Sequence, residues 1–157
     1  MTGASETAWR LSEAEQLLME EALAQAQKSF SEGGVPIGAV LALGDKLLAS
    51  GHNRRVQLGD PIAHGEMDCL RNAGRQKSYR DLTLFTTLSP CMMCAGTIVQ
   101  FKIPRVIVGE NRTFGGNEDF LRDHGVAVIV LNDPRCMALM ERFQAVHPDV
   151  WNEDIGE

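Results

Sequence analysis

Leu17, Leu18, Met19, Ala22, Leu23 and Ala26 recur at the spacing of one helix face, with acidic residues and glutamines between them. Ser12-Glu13-Ala14-Glu15 ahead of them is a capping-box pattern, Gly33-Gly34 closes the helix, and Pro36 prevents its continuation. The pattern then changes to a short apolar run over 37–43, a turn at Gly44-Asp45 and a second run over 46–51, which together predict a hairpin. Helical spacing returns over 64–72 and ends at Gly74. The β-rich run 82–88 predicts a central strand, and Pro90 opens a helix through 101, since proline is tolerated in a first helical turn. A strand over 105–109, a short helix over 118–123 and a strongly apolar strand over 126–131 follow. Asp133-Pro134 then opens a last long helix reaching about 146.

Helix, hairpin, then alternating helix and strand is the order of an α/β protein. A helix between consecutive strands implies parallel pairing by right-handed crossover. The expected architecture is a three-layer α/β/α sandwich with a five-stranded mixed sheet. With no internal repeat, low-complexity tract or linker, residues 1–157 read as one domain.

Composition narrows the function classes. Hydrophobic residues make up 44% and charged residues 23% of the 157, which is ordinary globular composition and argues against disorder. No apolar run is long enough to span a membrane, and residues 1–8 lack the basic and apolar regions of a secretory signal. The net charge of −6, the acidic tail Glu153-Asp154-Ile155-Gly156-Glu157, and the lack of any basic cluster beyond Arg54-Arg55 disfavour a long polyanion as partner. A small neutral substrate suits this balance better than nucleic acid. The four cysteines need not form disulfides in a chain of this size; a reducing cytoplasm is expected, with Cys69 and Cys136 as small buried hydrophobes.

The chemistry is concentrated in His64-Gly65-Glu66 and Pro90-Cys91-Met92-Met93-Cys94. A hydrolytic zinc site needs three protein ligands, an open position for water and a separate proton shuttle. H-x-E followed by P-C-x-x-C is the pattern of zinc deaminases acting on nucleobases. Cys91 and Cys94 lie three residues apart at a helix start, so both thiols point to one side of the first turn, where the helix dipole favours thiolate. Glu66 is two residues from His64 and does not share its helix face. His64, Cys91 and Cys94 therefore read as ligands of one catalytic zinc, and Glu66 as the residue that moves protons. The rival readings are a redox C-x-x-C pair and a closed structural zinc site. The latter wants a fourth protein ligand, and His52, His124 and His147 have no ligand spacing to the cysteines.

The chain resembles the cytidine deaminase superfamily and, within it, the fungal-type (yeast) cytosine deaminases. The likeness runs through Glu32-Gly33-Gly34-Val35-Pro36-Ile37-Gly38, Gly51-His52-Asn53, His64-Gly65-Glu66, Thr86-Thr87-Leu88-Ser89-Pro90-Cys91, Val108-Gly109-Glu110-Asn111, Phe114 and the tail from Trp151. The resemblance implies a cytidine deaminase-like fold, a homodimer, and zinc-dependent hydrolysis of free cytosine to uracil and ammonia in pyrimidine salvage. It also implies a set of substrate contacts. The Asn53 amide would meet the ring carbonyl and ring N–H, the Gly65 N–H the base, and the Ser89 carbonyl the exocyclic amine. Phe114 and Trp151 would cover the ring, Asp154 would meet the amine, and Ile37 would touch the base. Read without the resemblance, Asn53 is a strand-end turn residue and Asp154 a charge in a frayed terminus. Phe114 lies in the Gly- and Asn-rich stretch 111–117, a poor core address and a good lid.

Two departures keep the substrate open. Arg112 stands where the yeast-type pattern has a small aliphatic residue, and the loop through Gly115-Gly116 is shorter. Isocytosine, creatinine or a guanine-like base are alternatives within the same chemistry. A tRNA adenosine deaminase is a further alternative, but that family reads His-Ala-Glu and carries a basic C-terminal helix, against Gly65 and an acidic tail here.

Overall fold

The computed structural model describes residues 11–157. The reading of residues 1–8 as lacking a secretory signal lies outside them. Helix α1 (Glu13–Ser31) starts with the capping box: the Ser12 hydroxyl accepts from the Glu15 N–H at 3.1 Å, and the Glu15 carboxylate accepts from the Ser12 N–H at 3.0 Å. Strands β1 (Gly38–Leu43) and β2 (Lys46–His52) form the hairpin, with Gly44 at φ 57° in the turn. After a four-residue helix α2 (Arg55–Leu58) come α3 (Gly65–Ala73), β3 (Leu82–Leu88) and α4 (Met92–Phe101). The chain continues through β4 (Arg105–Glu110), α5 (Glu118–Asp123), β5 (Ala127–Val130), α6 (Pro134–Val146) and α7 (Pro148–Asp154).

The strands lie in the order β2-β1-β3-β4-β5. β1 is antiparallel to both β2 and β3, whereas β3, β4 and β5 run parallel. This is the expected five-stranded mixed sheet, with one refinement. The helix between β2 and β3 does not join adjacent strands, because β1 sits between them; the two strands share a direction but not a ladder.

Strand alternation sends successive residues to opposite faces. Val40 and Ala42 of β1, Phe85 of β3 and Ile107 of β4 pack against α1 and against Cys136 and Leu139 of α6. Ala39, Leu41, Leu84, Val106 and Val108 pack on the other face against Cys69 and Leu70 of α3, Ala95 and Ile98 of α4, and Leu121 of α5. Both faces of the inner strands are covered, so β1 reads as a near-continuous apolar run, and β3 is buried along almost its whole length despite three threonines. Two glycines let helices approach closely: a Cβ on Gly38 would lie 2.1 Å from the Ala22 carbonyl of α1, and one on Gly51 would lie 2.4 Å from the Cys69 nitrogen of α3.

Several boundaries differ from the sequence-based expectation. Helix α4 begins at Met92 and not at Pro90, because Cys91 is extended (φ −70°, ψ 173°) and serves as N-cap. Helix α2 is too short to show a period. Helix α7 replaces the expected frayed tail, folding back so that Trp151 is buried. Among the described residues no helix is long and apolar enough to cross a membrane.

Candidate active site

The start of β1, the end of β2 and the ends of β3 and β4 all lie on one edge of the sheet, as the registers Gly38↔His52 and Leu88↔Glu110 show. In open α/β sheets that edge is where ligands bind. Here two helix N-termini meet. His64 is the N-cap of α3 and Cys91 the N-cap of α4, both with extended backbone and neither with its side chain spent on capping. The imidazole and thiol are therefore free to face one another: His64 Nδ1 lies 3.4 Å from Cys91 Sγ and 3.8 Å from Cys94 Sγ.

One ligand atom from each of His64, Cys91 and Cys94 falls within 4.8 Å of the other two. One nitrogen and two sulfurs form a donor set that suits zinc, and these three residues would hold it. The protonation chemistry fits as well. The hydrogen bond from Cys94 and the neighbouring His64 outweigh burial and bring Cys91 down to about 4. Sharing with Cys91, together with burial, pushes Cys94 well up. Burial opposes a charged His64, but the Asp154 carboxylate and Cys91 outweigh it and hold the imidazole at about 10. A cation taking the three donors displaces the protons that His64 and Cys94 hold. The other ring nitrogen, His64 Nε2, lies 3.3 Å from Asp154 Oδ1, the position of a carboxylate that orients a metal-binding histidine.

Glu66, in the first turn of α3, is 4% exposed and stands outside the three-donor group. Burial first, and the negative charge of Cys91 second, raise its carboxyl to about 7. A group with that pKa both accepts and gives up a proton near neutrality.

Beside the donors opens a cavity of about 140 Å³, lined by Ile37, Glu66, Ser89, Phe114, Trp151 and Asp154 together with His64 and Cys91. That volume is the scale of one small ring. Phe114 and Trp151 meet edge to face, centroids 6.5 Å apart at 87°. Asn53 and Gly65 are not in the wall. Asn53 is fully buried, its Oδ1 accepts from the Arg55 N–H at 3.0 Å, and its Nδ2 has no partner. Gly65 brings α3 close to Ile37, since a Cβ there would lie 3.0 Å from the Ile37 carbonyl. Asp154 Oδ1 is buried and receives no hydrogen bond. Arg112 is exposed and is not among the residues that line the cavity.

Three charged side chains that the sequence reading passed over support the site from behind. Glu110 is fully buried and accepts from the N–H groups of Arg112 and Thr113 at 3.0 Å each, fixing the turn that carries Phe114. Glu118 of α5 accepts from the Ser89 hydroxyl. The Arg55 guanidinium lies 3.2 Å from Asp154 Oδ1. Glu110 entered only within the resemblance and Arg55 only as part of the one basic cluster; the partners of Glu118 and Arg55 are distant in sequence, and the burial of Glu110 is not written in its neighbours.

Residues 12–110 match the family model of the cytidine and deoxycytidylate deaminase zinc-binding region. The chain is similar to the cytosine deaminase of Candida albicans, with 51% identity over 142 residues, covering 88% of this chain and 95% of that protein. It is 40% identical over 102 residues to a tRNA-specific adenosine deaminase of Streptococcus pyogenes, covering 62% of this chain and 64% of the other. A solved guanine deaminase from Nitrosomonas europaea shares the fold, with a TM-score of 0.73 at 21% identity, covering 92% of this chain and 94% of that one. The His64, Cys91 and Cys94 donors lie inside the matched segment, and the chain belongs to the cytidine and deoxycytidylate deaminase zinc-binding family.

Proposed function

We propose that the protein catalyses hydrolytic deamination of free cytosine to uracil and ammonia, with His64, Cys91 and Cys94 holding one zinc ion and Glu66 moving the protons. The observation that carries the substrate is the buried donor Asn53 Nδ2, which has no partner, together with the Asp154 carboxylate of the cavity wall, which is ion-paired to Arg55 and His64 but accepts no hydrogen bond at Oδ1. Cytosine offers their complements, an exocyclic amine that donates and a ring carbonyl that accepts. Burying the Asn53 donor unpaired is unfavourable by roughly 1–3 kcal/mol, so a base whose carbonyl satisfies it is selected over one without that acceptor. The 51% identity to a cytosine deaminase over most of the chain supports the same choice.

Bound zinc supplies Lewis acidity that activates a water as nucleophile. The protein does the rest. Phe114 and Trp151 hold the ring and keep bulk water away, Asp154 and the Ser89 carbonyl accept from the amine, and Gly65 and Asn53 donate to the base. Glu66 takes the proton that water loses and gives it to the ring nitrogen next to the amine-bearing carbon. It then takes the remaining proton from the hydroxyl added to that carbon and gives it to the amine, so that the C–N bond breaks, ammonia leaves and the carbonyl of uracil remains.

The finer setting is cytoplasmic pyrimidine salvage by a homodimer. Supporting the dimer, Met92 and Phe101 at the two ends of α4 are exposed apolar side chains. The cavity of about 140 Å³ under α7 and the net charge of −6 favour a free base over tRNA.

Ammonia release from cytosine, isocytosine, creatinine, guanine and tRNA tests the proposal. Cytosine is expected to turn over fastest, a chelator to abolish release and added zinc to restore it. No release from cytosine by zinc-loaded protein overturns the substrate assignment.

A further inference from the structure

Asn53 and Asp154 lie far apart in the chain, and one residue outside the cavity touches both. The Arg55 N–H donates to Asn53 Oδ1 at 3.0 Å, which fixes the amide with its Nδ2 free. The Arg55 side chain is only 11% exposed; its Nε lies 3.2 Å from Asp154 Oδ1 and its Nη2 3.6 Å from Glu153 Oε1. Nε also donates to the Pro61 carbonyl at 3.2 Å, so the loop after α2 holds the guanidinium in place. The Asp154 side chain is 5% exposed, and its other charged contact is His64 Nε2 at 3.3 Å.

A buried carboxylate facing a nearly buried guanidinium is strongly held, because water screens neither charge, and removing one partner strands the other. The remaining attachment of α7 around the cavity is apolar: Trp151, Val150 and Ile155 pack with Val35, Ile37 and Phe143. Such contacts hold a helix down without fixing where its carboxylate points.

We propose that Arg55 is a positioning residue whose side chain latches α7 over the cavity and presets Asp154 for the base, while its backbone N–H fixes the Asn53 amide. The kinetic consequence rests on the cytosine reading; the conformational one does not. A lysine has one charged head and no fork, so it restores the contact to Asp154 only in part.

The test uses the zinc-loaded full chain in a Trp9→Phe background, which leaves Trp151 as the single tryptophan. In Arg55→Gln, acrylamide quenching of Trp151 is expected to rise about twofold or more, and the cytosine KM about tenfold, with kcat within about threefold of the parent. Arg55→Lys is expected to fall between. Asp154→Asn is expected to raise quenching as well, and the Arg55→Gln/Asp154→Asn double variant to raise it no further than either single change. This second arm carries the test if Arg55→Gln folds poorly. Parental quenching and KM in Arg55→Gln overturn the proposal, as does loss of kcat at unchanged KM, which is what a partly unfolded preparation gives. Additive quenching in the double variant also overturns it. A chain that releases no ammonia from cytosine yet shows the quenching rise overturns the substrate reading and leaves the latch standing.

Discussion

The Trp151 ring, carried by the C-terminal helix, meets the Phe114 ring edge to face across the cavity mouth, centroids 6.5 Å apart. The two rings come from separate segments and close the same opening, one buried and one half-buried. Trp151→Ala and Phe114→Ala are each expected to raise the cytosine KM about tenfold, corresponding to roughly 1–2 kcal/mol of lost ring contact. Phe114→Leu is expected to retain part of the effect. Steady-state kinetics on the three variants checks this, and unchanged KM in both alanine variants would exclude the rings from substrate binding.

Glu66 lies beside the three donors without joining them. Glu66→Gln keeps its shape and removes its proton chemistry. Turnover is expected to fall roughly 10²–10⁴-fold while zinc content by metal analysis stays at the parental level. A variant that loses its zinc would make Glu66 a ligand instead.

Gly51 of β2 lies against the backbone of α3, the helix that carries His64 at its N-cap and Glu66 in its first turn. Gly51→Ala puts a methyl 2.4 Å from the Cys69 nitrogen, backbone that cannot rotate away. Overpacking of this kind is destabilising by roughly 1–3 kcal/mol, and the displaced helix is expected to weaken zinc binding too. Gly96→Ala in α4 meets nothing within 4 Å and is expected to stabilise by about 0.5–1 kcal/mol, since alanine is the better helix former. Equal melting temperatures for the two variants would contradict the packing account.

Stability is expected to depend on pH through Glu15. Burial raises its pKa, but the Ser12 N–H and the Arg105 guanidinium outweigh burial and hold it below the ordinary 4.5. A carboxyl depressed in the folded state contributes stability above its unfolded pKa and loses it as pH falls through the folded value. Glu15→Gln is therefore expected to lower stability by about 1 kcal/mol at neutral pH. The gap to the parent is expected to close as pH drops below 4.5. Urea melts of both proteins across that range measure it.

Much of the fold was legible because its signals are short-range. The capping box at Ser12 and Glu15, Pro134 in the first turn of α6 and the Gly44 turn each act within a few residues. The order of the strands was not legible: that β1 separates β2 from β3 rests on the ladder between β1 and β3, which joins residues far apart in the chain, from Ala39 with Thr86 to Leu43 with Leu82. Cys91 as N-cap, with α4 starting two residues after Pro90, was equally out of reach, since a capping conformation depends on what the side chain faces. Whether Arg112 faces the cavity was not legible either; it is exposed and is not among the lining residues.

By itself the sequence determined the chemical inventory: one imidazole, two thiols and one carboxylate in a spacing that suits a hydrolytic zinc site, and the periodicities of an α/β sandwich. These depend on residue type and local geometry, which a linear pattern carries. The tertiary structure alone decided how that inventory is framed. It folded the acidic tail into a helix over the cavity, set Asp154 between His64 and Arg55, and buried Glu110 beneath the turn that presents Phe114. Ion pairs and buried hydrogen bonds of this kind join residues far apart in the chain, and burial, which only packing creates, gives them their strength.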